Sequence, residues 1–250
     1  MSSSARRALR ILETVGAADR PLGATEIGRA LGASAGTVFR GLDALERAGY
    51  VARFRSAPKF VLGKSVAALR QNLLARFPIR DVCAPYLRQL AFASGETASL
   101  TVRLGGYGVR IAAAPGTNEV TSAPPLGAAR PLGESCPGRA ILAFLAPGAP
   151  ALATKALARE LSAIRRRGFA VEETAFARGR AALAFPVRRS GHAIAAIAIE
   201  GPVVDLAQPD AHDGLPHWRE IVHSVERLAQ VRPALFAGPF DHLEADDIVL

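Results

Sequence analysis

Apolar positions recur every three or four residues through the first quarter of the chain, and the period changes to two further on. Ala8, Leu9, Ile11, Leu12 and Val15 form a single stripe, which predicts a buried-face helix capped by Ser4 and ended by Asp19-Arg20-Pro21. Residues 22 to 50, LGATEIGRALGASAGTVFRGLDALERAGY, then predict two short helices joined by a tight turn at Leu31, Gly32 and Ala33. Ser34 stands where it can cap the second of them. Val38, Leu42 and Leu45 share one face of that second helix and are expected to bury against Ile27, Ala30 and Leu31. Thr37, Arg40 and Ala44 point the other way.

Such an outward face is short, polar and basic, so its backbone can approach base edges in a DNA major groove while Arg40 reaches a guanine or a phosphate. Two helices around a glycine also occur in all-α domains that never touch nucleic acid. The sequel favours DNA. Residues 50 to 63 hold two alternating runs about a Ser56-Ala57-Pro58 turn, a two-stranded wing that would carry Arg53, Arg55 and Lys59 near its tip to neutralise phosphates. The candidate DNA-binding residues are therefore Ser34, Gly36, Thr37, Arg40, Arg53, Arg55 and Lys59.

From Lys64 a helical pattern with Val66, Leu69, Leu73 and Leu74 runs to the break at Pro78, and another spans Asp81 to about Phe92 and stops at Gly95. Alternation follows. Glu96 to Leu104 and Gly108 to Ala114 predict a hairpin about Gly105-Gly106, with loops from Pro115 to Gly133. Helices are expected over Pro137 to Leu145 and Ala156 to Arg167, and strands over Phe169 to Thr174, Arg180 to Arg188 and Ala193 to Ile199, the last two a hairpin about Ser190-Gly191. A helix from Pro216 to about Arg232 closes the domain, and Asp241 to Leu250 reads as a loose acidic tail. The fold class expected is α+β: a winged helix-turn-helix domain over 1–63, a linker helix over 64–77, an antiparallel-sheet effector and oligomerisation domain over 78–235, and the tail over 236–250.

Charge sharpens the division. The chain of 250 residues carries a formal net charge of +9, and residues 1–62 hold ten basic against five acidic residues. The excess is concentrated at the end expected to meet DNA. Arginine far outnumbers lysine, which occurs only at Lys59, Lys64 and Lys155, so part of the high basicity reflects composition in general. Cys83 and Cys136 are too few and too distant for a disulfide framework or a zinc site, and free thiols suit a reducing cytoplasm. No apolar run is long enough for a membrane span and the N-terminus lacks a signal-peptide core.

Catalytic chemistry is poorly represented. Gly133-Glu134-Ser135-Cys136-Pro137 approaches a nucleophile elbow, but its fifth residue is proline and no strand precedes it. Ser135 as a helix cap with Pro137 in the first turn is the simpler account. His217, Glu220 and His223 share a helical spacing that suits a metal only with outside ligands, and a solvated face is the plainer reading. Arg165-Arg166-Arg167 reads as a charged helix end. No metal and no cofactor is expected.

In order and spacing, several segments resemble the IclR family of bacterial transcriptional regulators. They include Arg7-Ala8-Leu9-Arg10-Ile11-Leu12, Leu31-Gly32 with Thr37-Val38 and Arg40, Gly49-Tyr50-Val51, Gly95-Glu96-Thr97-Ala98, Gly138-Arg139-Ala140-Ile141-Leu142 and Ala184-Phe185-Pro186-Val187. The resemblance implies a winged helix joined to a GAF-like effector domain, a homodimer or dimer of dimers on double-stranded operator DNA, and a small-molecule effector. It places the effector pocket between the sheet and the helix entered at Ser135, with Ala98, Leu100, Ser135, Cys136, Ala182 and Ala184 as candidate contacts. A modest organic acid would suit it, its carboxylate at the free amides of the helix start. The alternative is a small-molecule enzyme, or an effector-independent oligomerisation module, with an N-terminal assembly domain. Ser34-Ala35-Gly36 departs from the Pro-Lys-Ser common in relatives, so the operator is expected to differ from theirs. Gly133 and Ala182 likewise replace polar pocket residues.

Overall fold

The computed structural model describes residues 3–117, 125–146, 154–176, 180–202 and 213–237. The chain divides into two compact units between Ala75 and Arg76.

In the first unit, helix α1 (Ser3–Ala17) starts one residue before Ser4, which therefore lies in the first turn and is not the cap. Two residues, Leu22–Gly23, form an edge strand β1 that the hydrophobic pattern is too short to reveal. Helices α2 (Ala24–Leu31) and α3 (Ala35–Arg47) follow, then strands β2 (Val51–Arg53) and β3 (Lys59–Leu62) and helix α4 (Lys64–Leu74). The strands pair antiparallel in the order β1-β3-β2. Ile11, Ile27, Val38, Leu42 and Phe60 are all but completely buried in one core.

Two details of the helix pair differ from expectation for steric reasons. Ala30 is exposed, and Gly28 takes the inward position beside Ile27 because a side chain there would meet the Ala33 carbonyl oxygen at 2.8 Å. That carbonyl is close because Gly32, at φ 62°, turns the chain back so that the Ala33 amide donates to Gly28 O at 2.9 Å. Gly41 weakens helix α3 by about 1 kcal/mol relative to alanine. In exchange it lets α1 close in, since a Cβ at Gly41 would lie 2.5 Å from Ile11 Cδ1.

The second unit holds helix α5 (Ile79–Ser94), strands β4 (Thr97–Leu104), β5 (Tyr107–Ala114) and β6 (Ala129–Pro131), helices α6 (Cys136–Leu142) and α7 (Lys155–Arg167), strands β7 (Ala170–Phe176), β8 (Arg180–Arg189) and β9 (His192–Pro202), and helix α8 (Leu215–Val231). All six strands pair antiparallel, in the order β6-β5-β4-β9-β8-β7. β6 falls within the stretch expected to be loop, because three residues ending in proline carry no alternation. Ser190 (φ 51°) and Gly191 (φ 83°) make the predicted two-residue turn between β8 and β9.

Period-two alternation gives the sheet two different faces. Leu100, Leu183, Phe185, Ile197 and Ile199 pack with α5 and α8 around Trp218. On the other face Ala170, Ala182, Ala184, Ala196 and Ala198 lie under α6 and α7. Small side chains there let α6 sit close to the strands. The expected acidic tail, Asp241 to Leu250, lies outside the described residues.

Candidate DNA interface and ligand cavity

Ser34 occupies the N-cap of α3 with extended backbone, and its carbonyl accepts from the amides of Thr37 (3.0 Å) and Val38 (3.1 Å). Its hydroxyl does not cap an amide as expected. It donates to Thr37 Oγ1 at 3.0 Å, and Arg40 Nη2 donates to the same oxygen at 3.3 Å. Thr37 thus links cap and guanidinium across one turn. Gly36 has no atom within 4 Å of where a Cβ would stand, and Ser34, Gly36 and Arg40 are exposed. The start of α3 is a narrow, low-relief polar ridge.

On the wing, Arg55 is exposed in the turn and Lys59 is half-buried at the start of β3. Arg53 donates to Glu46 and stacks on Phe60 with 5.2 Å to the ring centre. At the entry to α2 the Gly23 amide donates to Glu26 Oε2 at 2.7 Å, and Arg20 pairs with the other oxygen at 2.8 Å. That amide first, and Arg20 second, hold the Glu26 carboxyl below its ordinary range.

The second unit contains a cavity between the alanine-lined sheet face and the start of α6, of about 460 Å³ including its open mouth. Its floor follows from strand register: Glu172, Ala182 and Glu200 stand side by side on β7, β8 and β9. Arg110 reaches over β4 to pair with Glu200, whose Oε1 also accepts from Ser99 at 3.1 Å. Arg139 of α6 donates to Glu172 at 2.7 Å and pairs with Glu160 at 2.7 Å. Ser135, Cys136 and Pro137 form the opposite wall, with Thr101, Gly108, Ala128 and Arg130 towards β5 and the mouth. Ser135 caps α6 by accepting from the Gly138 amide at 3.2 Å, and Cys136 Sγ donates to Ala182 O at 3.3 Å.

Residues 4–53 match the IclR helix-turn-helix domain, and residues 71–227 match the bacterial transcriptional regulator IclR C-terminal domain. The chain belongs to the IclR family of bacterial transcriptional regulators. It is 29% identical to the glycerol operon regulatory protein of Streptomyces griseus, over 95% of this chain and 98% of that protein. Identity to the probable transcriptional regulator SauR of Cupriavidus necator is 30%, covering 87% and 93% respectively. Among solved structures, Thermotoga maritima IclR superposes with a TM-score of 0.70 at 23% identity, covering 90% of this chain and 96% of that one. An IclR homolog from Microbacterium hydrocarbonoxydans, complexed with 4-hydroxybenzoate, gives 0.70 at 22% identity over 90% and 98%. The chain is accordingly a regulator of transcription with a helix-turn-helix DNA-binding domain, and not an enzyme.

Within this IclR-family chain the candidate ligand residues fall on two faces of the sheet. Ser135, Cys136 and Ala182 line the cavity, and Ala184 lies on the same face, two positions from Ala182. Ala98 and Leu100 are a correction: both are fully buried in the core under α5 and α8, on the far side of the sheet. Alternation separates the two sets but does not say which set turns towards which helix. Most of the helix-start amides expected to be free are not, since Pro137 has no N–H, Gly138 donates to Ser135 Oγ, and Arg139 donates to Ser135 O at 2.9 Å; only the Cys136 N–H at the first position has no acceptor among the described residues. Glu134 is exposed and does not line the cavity.

The residues that sequence reading missed are Arg110, Arg130, Glu172 and Glu200. Arg110 and Glu200 are 90 positions apart, so only pairing of β5 and β9 through β4 brings them together. Their signal was present: a charged residue inside an otherwise apolar strand demands a buried partner. On α8, Glu220 pairs with Arg227 at 2.9 Å, and no metal-holding cluster of His, Cys, Asp and Glu occurs among the described residues. No helix among them is long and apolar enough to cross a membrane.

Proposed function

We propose that this regulator works in the cytoplasm as a homodimer or dimer of dimers, placing α3 of each of two protomers in successive major grooves of an operator. The carrying observation is the exposed start of α3, where Gly36 leaves the backbone bare and Thr37 braces Arg40 towards solvent. Phosphate contacts from Arg55 and Lys59 on the wing would fix register, and Arg40 with Thr37 would read bases. One such module supplies few base contacts. Two-fold doubling brings affinity and specificity into a useful range.

The reading divides the chain into a DNA-binding domain over 1–63, a linker over 64–77 and an effector domain over 78–235. A small organic molecule in the cavity under α6 would bias the spacing of the half-sites through the linker. The cavity itself and the 4-hydroxybenzoate bound by the Microbacterium hydrocarbonoxydans homolog support this. Capture of genomic fragments by the purified protein, followed by sequencing and footprinting, is the test. A protected two-fold symmetric site is expected; protection that stays sequence-independent when competitor DNA is added would sink the proposal.

A further inference from the structure

Where the end of α7 meets α8 and β8, the second unit has another cavity, of about 390 Å³ including its open mouth. It shares no residue with the cavity under α6. Arg167, Arg188, Arg219 and His223 line it, together with one carboxylate, Glu226.

These charges do not cancel. Glu226 is taken up by Arg188, accepting from its amide at 2.9 Å, from Nε at 2.8 Å and from Nη2 at 3.3 Å. His223 Nε2 stands 4.0 Å from the same carboxylate. Arg167 and Arg219 have no carboxylate partner among the described residues, and no carboxylate besides Glu226 lines the cavity. Three guanidiniums against one carboxylate leave two positive charges when His223 is neutral.

The fold holds the two unpaired guanidiniums close to each other. Both lie against the buried ring of Phe169, with Cζ 5.2 Å from its centre for Arg167 and 5.0 Å for Arg219. Arg219 Nη2 donates to Arg167 O at 2.8 Å, and Arg167 Nε donates to Phe169 O at 2.6 Å. These bonds close the C-terminal end of α7 against α8, a structural task that uses one nitrogen of each side chain. Both Nη groups of Arg167, and Nε and Nη1 of Arg219, keep no acceptor among the described residues, and none of these nitrogens is shut away from solvent. Like charges fixed this near each other repel, and an anion between them offsets the repulsion.

We infer that this cavity is a second small-molecule site and that it takes a phosphomonoester, held by Arg167 and Arg219. A phosphomonoester carries close to two negative charges at neutral pH and offers three acceptor oxygens, which matches the surplus charge. Each guanidinium can present two parallel N–H groups to those oxygens. A monocarboxylate neutralises only one of the two charges. Phe185 and Val222 in the lining give a small apolar body something to pack on.

The test is calorimetric titration of the full chain at fixed ionic strength with inorganic phosphate and with phenyl phosphate, which adds an apolar body. At least one of them is expected to bind at millimolar concentration or below, and to lose about tenfold in affinity in Arg167→Gln and in Arg219→Gln, as for a lost charge-assisted pair. A second measurement needs no variant. Phenylglyoxal modifies accessible guanidiniums, and mass spectrometry of the peptides maps where. Phenyl phosphate should slow modification of Arg167 and Arg219 in the wild type, whereas benzoate at the same concentration should not, and this decides the matter if the variants fail to fold by circular dichroism. Absence of phosphate binding at millimolar concentration, undiminished affinity in the folded variants, equal protection by benzoate, or protection confined to other arginines would overturn the assignment. None of the residues tested belongs to the proposed operator contacts or to the cavity under α6, so failure here is distinguishable from failure of the regulator reading.

Discussion

Arg53 Nε sits 3.0 Å from both carboxylate oxygens of Glu46, which fastens the first wing strand to the last turns of α3. The same guanidinium lies over Phe60. Its charge is therefore partly offset before DNA arrives, unlike that of Arg55. We expect Arg53→Ala to change the salt dependence of DNA binding less than Arg55→Ala does, and to cost at most about 1 kcal/mol of stability, as for other solvent-facing pairs. Titrations at four or more salt concentrations give both slopes; a steeper loss for Arg53→Ala would show that the pair opens on DNA.

Arg40→Ala is expected to weaken operator binding by about 1–3 kcal/mol with little effect on unrelated duplexes. Arg55→Ala should weaken binding to all duplexes and reduce the log–log salt slope by about one. The contrast is between a base contact and a phosphate contact. Equal losses on operator and random DNA for Arg40→Ala would assign that residue to the backbone instead.

These contacts rest on elements whose periodicity was legible: α1 to α4 and the wing follow directly from apolar spacing in the sequence. Short pieces were not legible, because two residues in β1 and three in β6 cannot show a period. The orientation of the larger sheet was also hidden. Residues 98 and 100 alternate correctly, yet which face meets α6 depends on strands 80 to 100 positions away. The Arg110–Glu200 pair was hidden for the same reason.

Gly63 offers a stability test in the DNA-binding unit. It is buried, its amide donates to Tyr50 O at 2.8 Å, and a Cβ there would stand 2.2 Å from Gly49 O. The obstacle is backbone and cannot rotate away. Gly63→Ala should cost at least about 2 kcal/mol, towards the upper end of overpacking penalties. Gly32→Ala meets open space and should cost only the roughly 1 kcal/mol of a left-handed backbone. Urea unfolding of the two variants ranks them, and equal midpoints would refute the steric argument.

Both cysteines are predicted to be inert in the native protein. Burial pushes the Cys83 thiol up from 9.0 to about 12 and raises Cys136 further still, chiefly for the same reason. At pH 8 the Cys83 thiolate would be roughly one part in ten thousand, so an aromatic disulfide reagent should react only after denaturant is added. Since both folded values are raised, the stability gained by burying neutral thiols is complete below pH 9 and falls as the pH climbs towards 12. Prompt release of two equivalents of chromophore at pH 8 would contradict this.

Ala182→Leu should fill the cavity floor between Glu172 and Glu200. Any acid that raises the melting temperature of the wild type is expected to lose at least about tenfold in affinity, since the inserted branch occupies the volume the ligand body needs. Thermal shift across a ligand series measures it. An undiminished shift would place the ligand elsewhere.

The unequal faces of the six-stranded sheet give the second unit a separation of duties within each strand. On β8, odd-numbered residues such as Leu183 and Phe185 hold the domain together, while even-numbered Ala182 and Ala184 face α6. A substitution at Ala182 therefore reshapes the cavity floor, whereas Ala184 is packed under α6 and admits only a small side chain. The same backbone leaves room for the cavity floor to change at one residue while the odd-numbered core stays as it is.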